Sequence, residues 1–388
     1  MLAHWLLDPD YTYLNHGTVG APPRRVLARQ QALRDEMERQ PSRFVLRELN
    51  GAQPAPWRQQ SRLREAIEPV AAFLGSNPAD LVFVPNVTAG LNAVIRSVPL
   101  APGDEVVMTD LAYGAITITA SVVTKERGAT LKTIEMPFPL RDADAAVESI
   151  VAALTERTRL LVLDHITAQT ALVLPVARVA AECRRRGVPL LIDGAHAPGA
   201  IALDIPSLGV DWYVANLHKW AHSPRSCGVL WAAPERQAIL HPAVTSWGRD
   251  TGFQGEFERV PTSDPTAYLA APEGIALLRE WGVDAVYAYI HRLAWQGALL
   301  LSERWRTTVE MPREMIGAMV TVPLAQSAGA TVEDAARLRL ALLVEDRIEV
   351  QLHAWRGRLW ARVSAQVYNE LADIERLALA VERRAGHA

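Results

Sequence analysis

Short, predominantly apolar runs alternate with helix-like stretches over the middle of the chain. EVVMT (105–109), RLLVLD (159–164), PLLID (189–193), DWYVAN (211–216) and GVLWA (228–232) read as strands. Runs that stay apolar instead of alternating suit strands covered on both faces. Between them lie segments such as VARVAAECRRRG (176–187), which ends in a basic turn and a Gly. This alternation predicts an α/β fold with a mostly parallel sheet flanked by helices. Ligands of such sheets bind at the carboxyl ends of the strands, where Asp164, Asp193 and Asn216 fall.

The flanks read differently. Residues 21–72 are charged and helix-like, with a Pro-rich break at GAQPAPW (51–57). HPAVTSWGRDTGFQGEFERVPTSDP (241–265) reads as a long loop, which in a compact domain is usually functional. A long helix is expected from about 266. EVQLHAWRGRLWARVSAQ (349–366) alternates like a hairpin turning at Arg356-Gly357-Arg358. The expected division is an N-terminal segment near the active site (1–20), a large domain (21–265), and a linking helix with a smaller α+β domain (266–388).

Composition narrows the class. The 388 residues are 49% apolar and 21% charged, with a net charge of −3 and a pI near 6.4. That is ordinary for a soluble enzyme and gives no sign of nucleic-acid binding. The N-terminus lacks a signal-peptide pattern and no apolar run is long enough to span a bilayer, so the cytoplasm is the expected compartment. Cys183 and Cys227 form neither a metal pattern nor a disulfide framework.

Charge usage then singles out one residue. Of 40 Lys plus Arg, only Lys125, Lys132 and Lys219 are lysines. Arg replaces Lys wherever charge alone suffices, but it cannot form a Schiff base. Lys219 stands between His218 and Trp220 after an apolar run, which is no setting for a solvated charge.

Pyridoxal phosphate sets four demands: a lysine, an acid for its ring nitrogen, a surface for its ring and an anion site for its phosphate. Asp193 ends a strand before small residues and can pair with a pyridinium N–H, although a helix cap is the commoner role for such an Asp. Thr88, Ala89 and Gly90 in PNVTAGLNAVIRS (85–97) open a helix, a natural phosphate site. Asn216 and His218 precede the lysine and can bond cofactor oxygens. Tyr113 can stack on the ring.

YLNHGTVGAPP, NVTAGLNAV, LDHITAQTALVLPV, DGAHAPG, NLHKW and ARVSAQVYNE together resemble the class V aminotransferase family of fold type I, in its isopenicillin N epimerase-like branch. The resemblance runs from residue 11 to about 375. It implies a seven-stranded-type sheet with a smaller C-terminal domain, pyridoxal 5'-phosphate as cofactor, a small amino-acid-type substrate and a homodimer with shared active sites. It makes Lys219 the Schiff-base lysine and Asp193 the pyridinium partner, and sets His196 near the cofactor's 3-hydroxyl. Thr88, Ala89, Asn216 and His218 fall near the phosphate, and Tyr113 at the ring. Thr167 falls among the cofactor contacts, and Thr262 where a partner subunit reaches the phosphate. Asn15 and His16 fall on the substrate side, and Arg362 where the substrate's α-carboxylate binds. Two stretches depart from the pattern. Pro261-Thr262-Ser263-Asp264 replaces Gly-Thr-Arg-Asp, and Thr167-Ala168-Gln169-Thr170 replaces Thr-Ser-Pro-Thr, which turns Gln169 toward cofactor or substrate.

The chemistry expected is loss of the Cα proton to Lys219 from an amino acid held as an external aldimine. Epimerisation and β-elimination of the C–S lyase type lead, with transamination as the alternative. A cysteine desulfurase is disfavoured because no Cys follows Cys227. Retention of Lys219 and Asp193 disfavours a non-catalytic binding protein. No metal site is expected, since HITAQT and GAHAP offer no HxxxH or CxxC ligand spacing.

Overall fold

The computed structural model describes residues 1–385. Twelve strands form three sheets. In chain order they are β1 (Thr12–Tyr13), β2 (Leu81–Val84), β3 (Glu105–Thr109), β4 (Thr130–Ile134), β5 (Thr158–Asp164) and β6 (Leu190–Asp193). The rest are β7 (Trp212–Asn216), β8 (Gly228–Ala232), β9 (Met319–Pro323), β10 (Ile348–Glu349), β11 (Gln351–Trp355) and β12 (Arg358–Ser364).

The central sheet has seven strands in the order β2-β8-β7-β6-β5-β3-β4. Strands β3 to β7 are mutually parallel, and β8 runs against both β7 and β2. The reversal of β8 follows from its connection: residues 217–227 are too few for a crossover helix. Apolar clusters on both faces explain the unbroken apolar runs, one packed with the helix Val87–Ser97 and the other with Arg62–Phe73 and Val176–Arg186. Gly187 in the left-handed region ends Val176–Arg186, with its N–H on the Arg184 carbonyl.

The predicted hairpin is β11–β12, and β12 also pairs with β9. Arg356 and Gly357 both have positive φ, as a two-residue hairpin turn matching the strand twist requires. β1 pairs with β10, so the chain's start is stitched to its last quarter.

Three expectations change. The stretch 241–265 is not all loop, for it contains a helix, Gly252–Glu258. The long helix from 266 is three pieces, Thr266–Leu269, Ala271–Trp281 and Val283–Arg304, the last two separated by Gly282 at φ 80°. β2, β4 and β9 were not expected as strands; β4 is a partly exposed edge strand with no clean pattern. Among the described residues, no helix is long and apolar enough to cross a membrane.

Candidate active site

β5, β6 and β7 end side by side, and their last residues, Asp164, Asp193 and Asn216, open into one cavity of about 530 Å³. That volume suits a cofactor with a small substrate. Lys219, His196, His218, Thr88, Tyr113 and Arg362 share its wall with Asp193 and Asn216, as expected, and Gln169 does too.

Lys219 follows β7 by three residues, on a loop whose Leu217 and Trp220 are fully buried. Leu217 and His218 donate main-chain N–H bonds to the Cys227 carbonyl. From outside, the Lys219 carbonyl accepts from His16 Nε2 at 2.9 Å. Gly20, at φ 67°, presses on the loop so closely that a Cβ there would sit 1.9 Å from the His218 carbonyl oxygen. The loop is therefore clamped from both sides. Lys219 keeps some exposure at the cavity wall, but most of its surroundings are protein. This desolvation, helped by the Arg362 charge and opposed by Asp193 and Asp164, brings its pKa down to about 8. Its Nζ lies 3.1 Å from His196 Nε2.

Asp193 is buried, and burial raises its pKa to about 6 against the opposing pull of the Ala195 N–H and Lys219. Among the described residues its carboxylate receives one hydrogen bond, from the Ala195 N–H at 2.9 Å. Gly194 is obligatory beside it, since a Cβ there would meet the Tyr213 ring at 2.2 Å. Asp164 is held well above the usual carboxylate range by burial and then by Asp193.

The anion end lies at the start of the helix Val87–Ser97. Asn86 caps it by accepting from the Ala89 N–H at 2.9 Å, and Asn216 Oδ1 accepts from the Val87 N–H at 3.0 Å. Ala89 therefore gives its N–H to the cap and does not line the cavity. Thr88, which does, keeps its N–H and hydroxyl clear of other described groups. His218 Nδ1–H donates to the Cys227 carbonyl at 2.9 Å, and burial brings the ring down to about 4. Tyr113, 51% exposed on the rim, immediately precedes the helix Gly114–Arg127 and makes no side-chain bond to its first turn.

Arg362 is buried, with Nη1 on the Ala168 carbonyl and Nη2 on Thr18 Oγ1 at 2.6 Å and Asn15 Oδ1 at 3.3 Å. Its Nε is buried without a partner. No carboxylate among the described residues pairs with it, and desolvation lowers its pKa to about 10. A buried guanidinium without a counter-ion is costly unless a ligand supplies the anion.

The remaining expected residues stand elsewhere. Asn15 links Glu349 at 2.8 Å with Arg362, one step behind the wall. His16, wedged between Tyr368 Oη and the Lys219 carbonyl, braces the lysine loop and does not face the cavity. Thr167 spends its hydroxyl on Thr170 and the Leu172 N–H, leaving the wall to Ala168 and Gln169. Thr262 lies at a separate surface pocket with Leu49 and Trp247. Asp164, placed at a strand end by the sequence but given no role there, lines the site, as do Asn86, Thr18 and Gln351, which were not singled out. Of the residues missed, Asn86 left a signal, standing three before Ala89 at cap spacing.

These groups fit pyridoxal phosphate on the structure's own terms: a desolvated amine, a buried carboxylate with spare acceptor capacity, a helix N-terminus with a free N–H, and an unpaired guanidinium. The comparisons with known proteins agree. The family described as Aminotransferase class-V matches residues 23–377. Isopenicillin N epimerase from Streptomyces clavuligerus is 32% identical over 399 residues, covering 98% of this chain and 96% of that protein. A probable chloroplastic L-cysteine desulfhydrase from Arabidopsis thaliana is 29% identical, over 95% of this chain and 82% of its own length. In fold, the chain is similar to a cystine C-S lyase solved with cysteine persulfide, with a TM-score of 0.76, 22% identity, and coverage of 96% of this chain and 97% of that one. With a family match over most of its length, the chain belongs to the class V aminotransferase family and is a pyridoxal phosphate-dependent enzyme.

Proposed function

We propose that the enzyme removes the Cα proton of a small amino acid or derivative and completes either epimerisation or β-elimination of the C–S lyase type. Transamination is the alternative. The observation that carries this reading is Arg362, a buried guanidinium with no counter-ion among the described residues, in the same cavity as the Lys219 amine and the Asp193 carboxylate.

When bound, pyridoxal phosphate supplies an electron sink that makes the substrate's Cα–H bond acidic. Lys219 and Asp193 would hold the cofactor's reactive carbon and ring nitrogen, and Thr88, Asn216 and His218 would hold its phosphate. Arg362 grips the substrate carboxylate through a planar fork, which fixes the rotation about the Cα bonds. Asp193 would keep a proton on that ring nitrogen. Lys219, with its pKa brought down to about 8, is an effective base near neutral pH and takes the Cα proton. Tyr113, at the rim, would cover the ring.

A desulfurase that needs a thiol nucleophile is not favoured. Cys183 and Cys227 are both buried, and burial pushes both thiols up, Cys183 to about 12. The names of the relatives support epimerisation and C–S lysis equally. Cytoplasmic homodimers are part of the proposal, with Thr262 reaching the partner's phosphate site from outside its own lysine cavity. The deciding experiment incubates the enzyme with L-amino acids, cysteine and cystine in deuterated water. Deuterium at Cα reports the shared step, and D-isomer, pyruvate with sulfide, or keto acid identifies the outcome. No visible cofactor band and no exchange with any substrate would sink the reading.

A further inference from the structure

Trp220 and His196 together decide which proton faces Lys219. Trp220 is fully buried and adjoins Lys219 in sequence, and His196 is buried beside it. The indole Nε1–H of Trp220 donates to His196 Nδ1 at 3.5 Å, while His196 Nε2 lies 3.1 Å from Lys219 Nζ. An indole N–H can only donate, so the Nδ1 that receives it must carry a lone pair. A neutral imidazole then carries its proton on Nε2. That Nε2–H can in turn only donate, and the nitrogen it meets must offer a lone pair. An amine does so; an ammonium, with donors alone, does not. The opposite tautomer would set two N–H groups head to head in a dry core.

We propose that Trp220 is a positioning residue: its indole N–H fixes His196 as the Nε2–H tautomer, and that tautomer holds the Lys219 amine unprotonated and aimed into the cavity. The surrounding groups are compatible. Arg362 presses Lys219 the same way, Asp193 and Asp164 oppose, and burial keeps His196 and His218 uncharged. His218 is occupied by the Cys227 carbonyl and takes no part. The proposal rests on the reading of Lys219 as the cofactor-binding amine.

With three lysines in the chain, the test is direct. Full-length protein labelled with ¹⁵N at lysine and histidine is followed by NMR before and after pyridoxal phosphate is added. Lys219 and His196 signals are assigned by their loss in Lys219→Ala and His196→Gln. The expected result is His196 as the Nε2–H tautomer in the wild type. In Trp220→Phe the Lys219 titration should move upward, with about tenfold less free amine at a given pH for a one-unit shift. Cofactor attachment should slow by the same factor while the final visible band is unchanged. In a His196→Gln background, Trp220→Phe should add nothing. An Nδ1–H tautomer at His196 in the wild type overturns the proposal, and it decides the matter even if Trp220→Phe fails to fold. An unmoved Lys219 titration in folded Trp220→Phe overturns it too, as does an equal shift in the His196→Gln background. A wild type with no visible band would instead remove the cofactor reading while leaving the tautomer measurable.

Discussion

Asp164 and Asp193 are register partners on adjacent parallel strands, so two buried carboxylates stand side by side at the floor of the cavity. Neighbouring strands are about 4.8 Å apart, close enough for each charge to oppose the other's ionisation. The pair titrates as a unit, with both members raised and burial as the main cause. In the cofactor-free protein this is stored instability, which a pyridinium N–H paired with Asp193, as proposed, would relieve.

The first prediction concerns pH and Asp193. Its native pKa, about 6, exceeds the ordinary 3.8, so the native state keeps a proton that the unfolded chain has released. Its contribution to stability is full below about 4 and is lost as pH rises through about 6. A shift of about two units corresponds to about 3 kcal/mol. Asp193→Asn should therefore stabilise the cofactor-free protein at pH 7 by up to that order, and by little at pH 4. In the loaded enzyme the same change should lower kcat by orders of magnitude, because a neutral amide cannot hold the pyridinium proton. Thermal unfolding at the two pH values and steady-state kinetics check both arms. Wild-type turnover in Asp193→Asn would reduce the residue to a turn-capping role.

Lys219→Ala should abolish the visible cofactor band and the activity without unfolding the protein, since Nζ makes a single hydrogen bond, to His196. In the wild type, the rate of cofactor attachment to stripped protein should climb with pH and level off above about 8, where the amine is free. Stopped-flow absorbance reads this rate. A rate that keeps climbing about tenfold per pH unit beyond pH 9 contradicts the lowered pKa, and a flat profile between pH 6 and 9 contradicts a value near 8.

Arg362→Lys keeps the charge but loses the planar fork and the contacts to the Ala168 carbonyl and Thr18. A charge-assisted hydrogen bond contributes about 1.5–3 kcal/mol, so kcat/KM for amino acids should fall by about 10- to 100-fold. KM should rise, and the cofactor spectrum should stay as it was. Unchanged kinetics in both Arg362→Lys and Arg362→Ala would place the carboxylate site elsewhere.

Thr262→Ala should weaken pyridoxal phosphate binding by about one hydrogen bond, roughly 5- to 10-fold, and only where two copies associate. Sedimentation with cofactor titration checks it. A monomer that saturates with cofactor and turns over normally rules the shared site out.

What could be read in advance follows a physical division. An apolar run ending in Asp marks a buried strand reaching a site, so β5, β6 and β7 and their terminal residues were legible. Scarcity of lysine made Lys219 legible without structure. The direction of β8 was not, because it depends on a loop too short for a crossover and not on the strand's own residues. Which first-turn N–H stays free was not legible either: Ala89 loses its own to Asn86, and Val87 gives its own to Asn216, 129 positions away. Thr167 falls at a site position but is absorbed by its own turn. Arg362 alternates on a strand as a solvent-facing residue would, and only its remote contacts show the cleft.

Those remote contacts carry one more consequence. The proposed carboxylate grip joins Arg362 to Thr18 and Asn15, 344 and 347 positions earlier in the chain. Contacts of such sequence separation carry the largest loop-closure entropy and form late. A growing chain can build the β3-to-β7 core around the future lysine site before residue 362 has left the ribosome. On the proposed roles, the nascent protein would hold its reactive amine before it could select a substrate, and recognition would wait for residues 15–18 and 362 to meet.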